Sequence, residues 1–257
     1  MGIVNVTPDS FSDGGQHLRS SDAVAHARRL VLEGADIIDV GGESSRPGAA
    51  PVSIDTELER VIPVVEALAG DVRVSVDTAK PAVAHAAIDA GATLVNDVTA
   101  SLHGVAAERG VGWVAMHMQG KPRTMQADPH YDDVVAEVTA FLVASAEAAR
   151  AAGVHEVWID PGIGFGKTRA HNWALLAAMP QLVATGWPVA VGTSRKAFLG
   201  ALLAEVDAGR LDVEPTPVDD RLEGSVTTAV RAALDGAGLV RVHDVAATVA
   251  ALRAVAA

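Results

Sequence analysis

At 257 residues, the chain has the length of one large α/β barrel or of two small domains. Hydrophobic residues make up 49% and charged residues 20% of it, which excludes a disordered chain and supplies a large core. A net charge of −12 and the absence of cysteine exclude nucleic acid as a partner, a disulfide framework and thiolate chemistry, so any phosphate site must be local and cationic.

No apolar run reaches transmembrane length, and the first residues lack the regions of a signal peptide, so no membrane partner is expected and the cytoplasm is the expected location. Along the chain, short apolar runs alternate with longer Ala-rich stretches of helical character. The first run, 2–6, leads into a long connection rich in small polar residues, Asn5-Val6-Thr7-Pro8-Asp9-Ser10-Phe11-Ser12-Asp13-Gly14-Gly15. It is either a plain structural loop or one in which Asn5 orients a metal or phosphate oxygen and Phe11 closes over a flat ligand. A helix is predicted over 21–33, then a strand over 36–40. The next connection, Gly41-Gly42-Glu43-Ser44-Ser45-Arg46-Pro47-Gly48, offers donors for an anion or carboxylate; a lone Arg46 could instead be a surface salt-bridge residue, but its place in a Gly/Ser/Pro loop beside a strand end favours the functional reading.

Helix 55–69 precedes strand 72–76, which ends at Asp77. Helix 81–90 precedes strand 93–95, which ends at Asn96. A weaker helix over 102–109 is followed by strand 112–116, ending at Met116 and His117, and by helix 131–152. Strand 156–159 ends at Asp160, opening Asp160-Pro161-Gly162-Ile163-Gly164-Phe165-Gly166-Lys167-Thr168. Pro161 and the glycine spacing rule out a Walker loop and a dinucleotide fingerprint; the glycines read as room for a planar ring. Asp77, Asn96 and Asp160 could each cap the helix that follows. Three such acceptors on one rim point instead to a ligand rich in N–H donors.

After helix 171–184 and strand 188–191 come Ser194-Arg195-Lys196. Cations are unfavourable at a helix N-terminus, so Lys196 reads as a ligand-binding residue. The acidic, Pro-bearing segment 205–220 reads as a surface insertion. Helix 221–237 and strand 238–242 follow, with Arg241 and His243 on one face of the strand end, placed for an anion clamp; helix 246–256 ends the chain. Gly34, Gly91, Gly153 and Gly236 stand where left-handed helix caps are expected. Eight strand-like runs, nearly all ending in polar or glycine residues, converge only if the parallel sheet closes. The expected fold is therefore α/β, a single-domain (β/α)8 TIM barrel with its site at the C-terminal ends of the strands. The histidines form no His-x-His or His-Glu-x-x-His pattern, which argues against a tight zinc site.

Taken together, the two N-terminal loops, Ser75-Val76-Asp77-Thr78, Asn96-Asp97-Val98, Met116-His117-Met118-Gln119-Gly120, the 160–167 loop, Ser194-Arg195-Lys196 and Arg241-Val242-His243-Asp244 resemble dihydropteroate synthases over essentially the whole chain. The resemblance implies a TIM barrel of the folate pathway, usually a cytoplasmic homodimer and a sulfonamide target. Such a transferase joins 6-hydroxymethyl-7,8-dihydropterin diphosphate to p-aminobenzoate with Mg²⁺ assistance. It implies a pterin pocket of Asp77, Asn96, Met116, Asp160, Gly164, Lys196 and Arg241, with Asp77, Asp160, Lys196 and Arg241 in the catalytic roles. It implies a p-aminobenzoate pocket of Phe11, Ser45, Arg46, Pro47, Ser194 and Lys196, and diphosphate contacts from Asn5, Arg46, Arg241 and His243, Asn5 also touching the metal. Ser45 stands where the family often has threonine, and 205–220 is longer than the family leads one to expect. A methyl-transferring pterin barrel and a silent pterin-binding paralogue are the alternatives; neither needs all of these motifs.

Overall fold

The computed structural model describes residues 1–7, 16–45, 48–211 and 213–256, with 16–19 described by backbone alone. The apolar runs become eight parallel strands: β1 (Gly2–Asn5), β2 (Ile37–Gly41), β3 (Arg73–Asp77), β4 (Leu94–Asp97), β5 (Gly112–Met116), β6 (Val157–Asp160), β7 (Ala190–Val191) and β8 (Leu239–Val240). Between and after them run α1 (Gln16–Leu32), α2 (Ile54–Leu68), α3 (Pro81–Asp89), α4 (His103–Arg109), α5 (Val134–Ala151), α6 (Arg169–Ala177), α7 (Met179–Val183), α8 (Ala197–Ala208), α9 (Leu222–Leu234) and α10 (Val245–Ala256). The capping chemistry is local: Ser53 and Asp133 accept from the first-turn amides of α2 and α5, satisfying donors that a helix start leaves open. Gly34, Gly91, Gly153 and Gly236 have φ of +106°, +114°, +101° and +101°, as their positions led one to expect.

Strands β1 to β6 pair in chain order and β7 pairs with β8, all parallel. Two seams close the ring. Ile159 of β6 bridges Val189 and its amide donates to the Pro188 carbonyl at 2.9 Å. Gly2 of β1 bridges Val242, and the Ile3 amide donates to the Val242 carbonyl at 3.0 Å. The sheet is thus a (β/α)8 barrel. Its larger core packs helix residues such as Leu30, Leu68, Leu142, Leu175 and Leu182 with strand residues including Trp113, all buried. A second, smaller cluster of Ile37, Leu94, Val114, Ala190 and Leu239 is contributed by five different strands, as a barrel's inner layer is. Among the described residues no helix is long and apolar enough to cross a membrane.

Three expectations are corrected. The helix expected over 171–184 is two, α6 and α7, meeting at Ala178 with Pro180 in the first turn of the second; proline has no N–H to continue the ladder. Residues 197–208 form a helix, α8, which was not expected. A Cβ at its interior Gly200 would lie 2.4 Å from Arg221 Nε, so the Arg221 guanidinium packs directly on this turn. The segment 205–220 is consequently not one surface insertion. Its first residues finish α8, and Thr216 is tied back by its amide to the Gly200 carbonyl at 3.0 Å.

Candidate active site

Side chains two apart along a strand share a face, and that period builds the site on top of the inner layer. Two residues beyond Ile37, Leu94, Val114 and Leu239 come Asp39, Asn96, Met116 and Arg241; two beyond Trp158, packed against the same layer, comes Asp160. The strand register sets Asn5 beside Gly41, Gly41 beside Asp77, Asp77 beside Asn96, and Met116 beside Asp160. Above them opens a cleft of about 1250 Å³, lined by Asn5, Ser45, Asp77, Gly164, Ser194, Lys196, Arg241 and His243, among others. Asn96, Met116 and Asp160 are buried on the layer beneath. Phe11, Arg46 and Pro47 lie outside the described residues.

Arg241 spans the mouth. Its Nε donates to Asp39 Oδ2 at 2.6 Å and its Nη2 to Asp77 Oδ2 at 2.7 Å. Burial works against the guanidinium's charge, but Asp39 and Asp77 outweigh burial and lift Arg241 above its ordinary pKa. One guanidinium serves two carboxylates, and Asp77 shows the consequence. Burial pushes it up to about 7, with Arg241 opposing and Asp39, Glu57 and Asp97 adding to the rise. Asp39 was not among the expected site residues. It is fully buried, and its Oδ2 also accepts from Asn96 Nδ2 at 2.9 Å, while Oδ1 has no partner among the described residues. One carboxylate therefore orients both an expected pterin reader and the expected anion clamp.

Across the cleft, Asp160 Oδ1 accepts from the Gly162 amide at 2.7 Å. Lys196 Nζ donates to the Ile163 carbonyl and sits 4.6 Å from the centre of the Phe165 ring. Burial raises Asp160, with Lys196 pulling the other way, and burial lowers Lys196 to about 8. Lys167 is a second buried cation without an assigned role in the sequence reading. It contacts His117 Nδ1 at 2.9 Å and the carbonyls of His117 and Phe165 at 3.3 and 3.1 Å. Burial lowers Lys167 to about 7, and burial with Lys167 beside it takes His117 down to about 3.

The glycines of this loop do something other than leave room for a ring. A Cβ on Gly162 would lie 1.8 Å from the His117 carbonyl oxygen, and one on Gly166 would lie 2.2 Å from that of Gln119. They let the β5 and β6 connections touch backbone to backbone. Gly164 alone opens toward the cleft, where a Cβ would meet the Lys196 stem at 3.1 Å. Of the two adjacent cations after β7, Arg195 is held by Asp244 through contacts of 3.1 and 2.6 Å. Ser194 Oγ accepts from the His243 amide at 3.1 Å and lies 3.0 Å from its Nδ1, tying the β7 and β8 connections together. Asp97 faces outward and caps the turn before α4, accepting the Ser101 and Leu102 amides at 2.6 Å each.

Among the described residues no group of three or more His, Asp or Glu is arranged to hold a metal ion. The side-chain oxygen of Asn5 is a hard donor at the cleft wall. One such neutral oxygen is compatible with Mg²⁺, a hard cation that keeps several waters and draws much of its shell from ligand phosphates.

The sequence profile of the pterin binding enzymes matches residues 1–243. The dihydropteroate synthase of Escherichia coli K12 is 49% identical, the match covering 99% of this chain and 89% of that one. The Xanthomonas albilineans dihydropteroate synthase with 4-aminobenzoic acid superposes with a TM-score of 0.89 at 50% identity, covering 100% of this chain and 92% of the other. The same enzyme in complex with 7,8-dihydropteroate gives a TM-score of 0.85 at 48% identity, covering 100% and 93%. With the barrel, the cleft and these likenesses in agreement, the chain belongs to the dihydropteroate synthase family of pterin binding enzymes.

Proposed function

We propose that the protein is a dihydropteroate synthase, a transferase that condenses 6-hydroxymethyl-7,8-dihydropterin diphosphate with p-aminobenzoate to give 7,8-dihydropteroate and pyrophosphate. The observation that carries this reading is the convergence of Asp77, Asn96, Asp160, Lys196 and Arg241, drawn from β3, β4, β6 and the connections after β7 and β8, at one mouth and on the layer just beneath it.

A pterin edge carries amide and amine N–H donors beside a carbonyl. Asp160 accepts from such donors, and so does Asn96, whose Nδ2 is already given to Asp39. Lys196 supplies the donor for the carbonyl. Met116 packs beneath the ring, and Gly164 leaves the ring side open for the lysine stem. Arg241 and His243, with Asn5, face the diphosphate. The methylene carbon–oxygen bond breaks with its electron pair going to pyrophosphate, leaving positive charge on the methylene carbon and the ring. Asp77 is placed to stabilise that charge, and Arg241 the departing anion. The amine of p-aminobenzoate attacks the carbon and then gives up a proton to solvent. Ser45, Ser194 and Lys196, with Phe11, Arg46 and Pro47, are the proposed p-aminobenzoate contacts. Asn5 would hold Mg²⁺, which when bound would supply charge neutralisation on the leaving group. Homodimeric assembly and a cytoplasmic location belong to the same proposal and rest on family membership.

Purified protein mixed with both substrates and Mg²⁺ is expected to release pyrophosphate. Lys196→Ala and Asp160→Ala are expected to lose nearly all turnover while remaining folded by circular dichroism. Full activity in both variants would overturn the site.

A further inference from the structure

Beside the cleft, at the root of the connection after β2, lies an ion network that the chemistry above does not use. Lys80, at the N-cap of α3, places Nζ between the carboxylates of Glu43 and Glu57. The Glu57 side chain is 1% exposed, and its other oxygen accepts from Thr78 Oγ1 at 2.6 Å. Thr78 directly follows Asp77, and its amide donates to the Asn96 carbonyl at 3.2 Å. Glu43 directly precedes Ser44 and Ser45, both on the cleft wall. Arg60 donates to the Gly42 carbonyl at 2.8 Å, and a Cβ on Gly42 would lie 2.8 Å from Val61 Cγ2 and 3.0 Å from Glu57 Cγ.

A buried carboxylate needs a partner, and Lys80 with Thr78 meets that need for Glu57. Glu43 is different: its side chain is 30% exposed, so water could serve it. Its seat on the same ammonium is not demanded by burial, and it fixes where the second connection leaves β2. The network runs without a gap from Asp77 through Thr78, Glu57 and Lys80 to Glu43 and on to Ser45.

We propose that Lys80 is a positioning residue, a latch that holds the second connection, and with it Ser45, in register with Asp77, and so sets the affinity for p-aminobenzoate. The proposal rests on the synthase reading above. Its test uses Glu43→Ala and Glu43→Gln in the full-length enzyme. In Glu43→Ala, the KM for p-aminobenzoate is expected to rise about tenfold, kcat to change by less than about threefold, and the Kd for the pterin diphosphate by less than about twofold. Glu43→Gln keeps an acceptor for the ammonium, and its KM should fall between those of wild type and Glu43→Ala. Hydrogen exchange provides a readout independent of turnover: amides of the second connection should exchange faster in Glu43→Ala, with those of β4 unchanged. An unaltered KM with unaltered exchange overturns the latch, as does an equal loss of pterin diphosphate affinity, which would mark general damage. Absence of wild-type turnover would strike the synthase reading instead, and the exchange comparison would still decide the latch.

Discussion

Asp39→Asn is the substitution that most directly probes how the mouth is organised. Its Oδ2 accepts from Arg241 Nε at 2.6 Å and from Asn96 Nδ2 at 2.9 Å. Hydrogen bonds to a charged group contribute roughly 1.5–3 kcal/mol and neutral ones roughly 0.5–1.5. Demoting two of them therefore costs on the order of 2–3 kcal/mol of folding stability, with Asp77 still holding Arg241. If about half of that appears as misplacement of the guanidinium and the Asn96 amide, kcat/KM for the pterin diphosphate falls about tenfold. A second signature follows from charge. Asp39 is one of the carboxylates that raise Asp77, so its neutralisation should move the acid limb of the pH–rate profile to lower pH. Urea unfolding, initial rates and the pH profile measure all three. A variant with stability within about 0.5 kcal/mol of wild type, an unchanged kcat/KM and an unmoved acid limb would refute the claim that Asp39 organises the mouth.

Three further outcomes follow from the geometry. In wild type, kcat/KM should rise with pH up to about 7, as Asp77 becomes a carboxylate, and fall above about 8, as Lys196 loses its proton; a profile flat from pH 6 to 9 would contradict both roles. Gly162→Ala has φ of +64° against it and a carbonyl oxygen 1.8 Å from the new Cβ. It should cost at least about 2 kcal/mol and raise the KM for the pterin diphosphate; a wild-type melting temperature would show that the loops do not meet as described. Chelation of Mg²⁺ should depress pyrophosphate release far more than p-aminobenzoate binding, and restoring Mg²⁺ should recover it; turnover indifferent to chelation would remove the metal from the reaction.

Much of this was legible because a barrel writes its inward face every second residue. Asp77, Asn96, Asp160 and Arg241 stand at the ends of apolar runs, where the polar break is conspicuous. Asp39 stands at the polar end of its run but was given no role in the site, because it lies between Ile38 and Val40 and a lone carboxylate there reads as part of the strand. Its position two residues past inward Ile37 was the available signal. Lys167 was hidden for another reason: besides the nearby Phe165 carbonyl, it is held by the ring and the carbonyl of His117, which lies far from it in the sequence. The glycines at 162 and 166 were recognised as permissive, but whether a ligand or another loop fills the space beside them depends on tertiary contact alone. Helix α8 was obscured by the acidic stretch that follows it, although its Ala- and Leu-rich composition favours a helix. What the structure adds is the sharing of partners: one guanidinium between two carboxylates, one carboxylate between two donors.

The meeting of Gly162 with the His117 carbonyl carries a consequence for how this enzyme can change over generations. Two neighbouring connections beside the cleft interlock through main chain so closely that not even a methyl group fits at Gly162, so altering one means displacing both. Ser45, by contrast, follows Glu43, whose tie to Lys80 is made between side chains that a single substitution can replace. On the proposed assignment of the two pockets, heritable variation in ligand preference has a more open route beside Ser45 than beside Gly162.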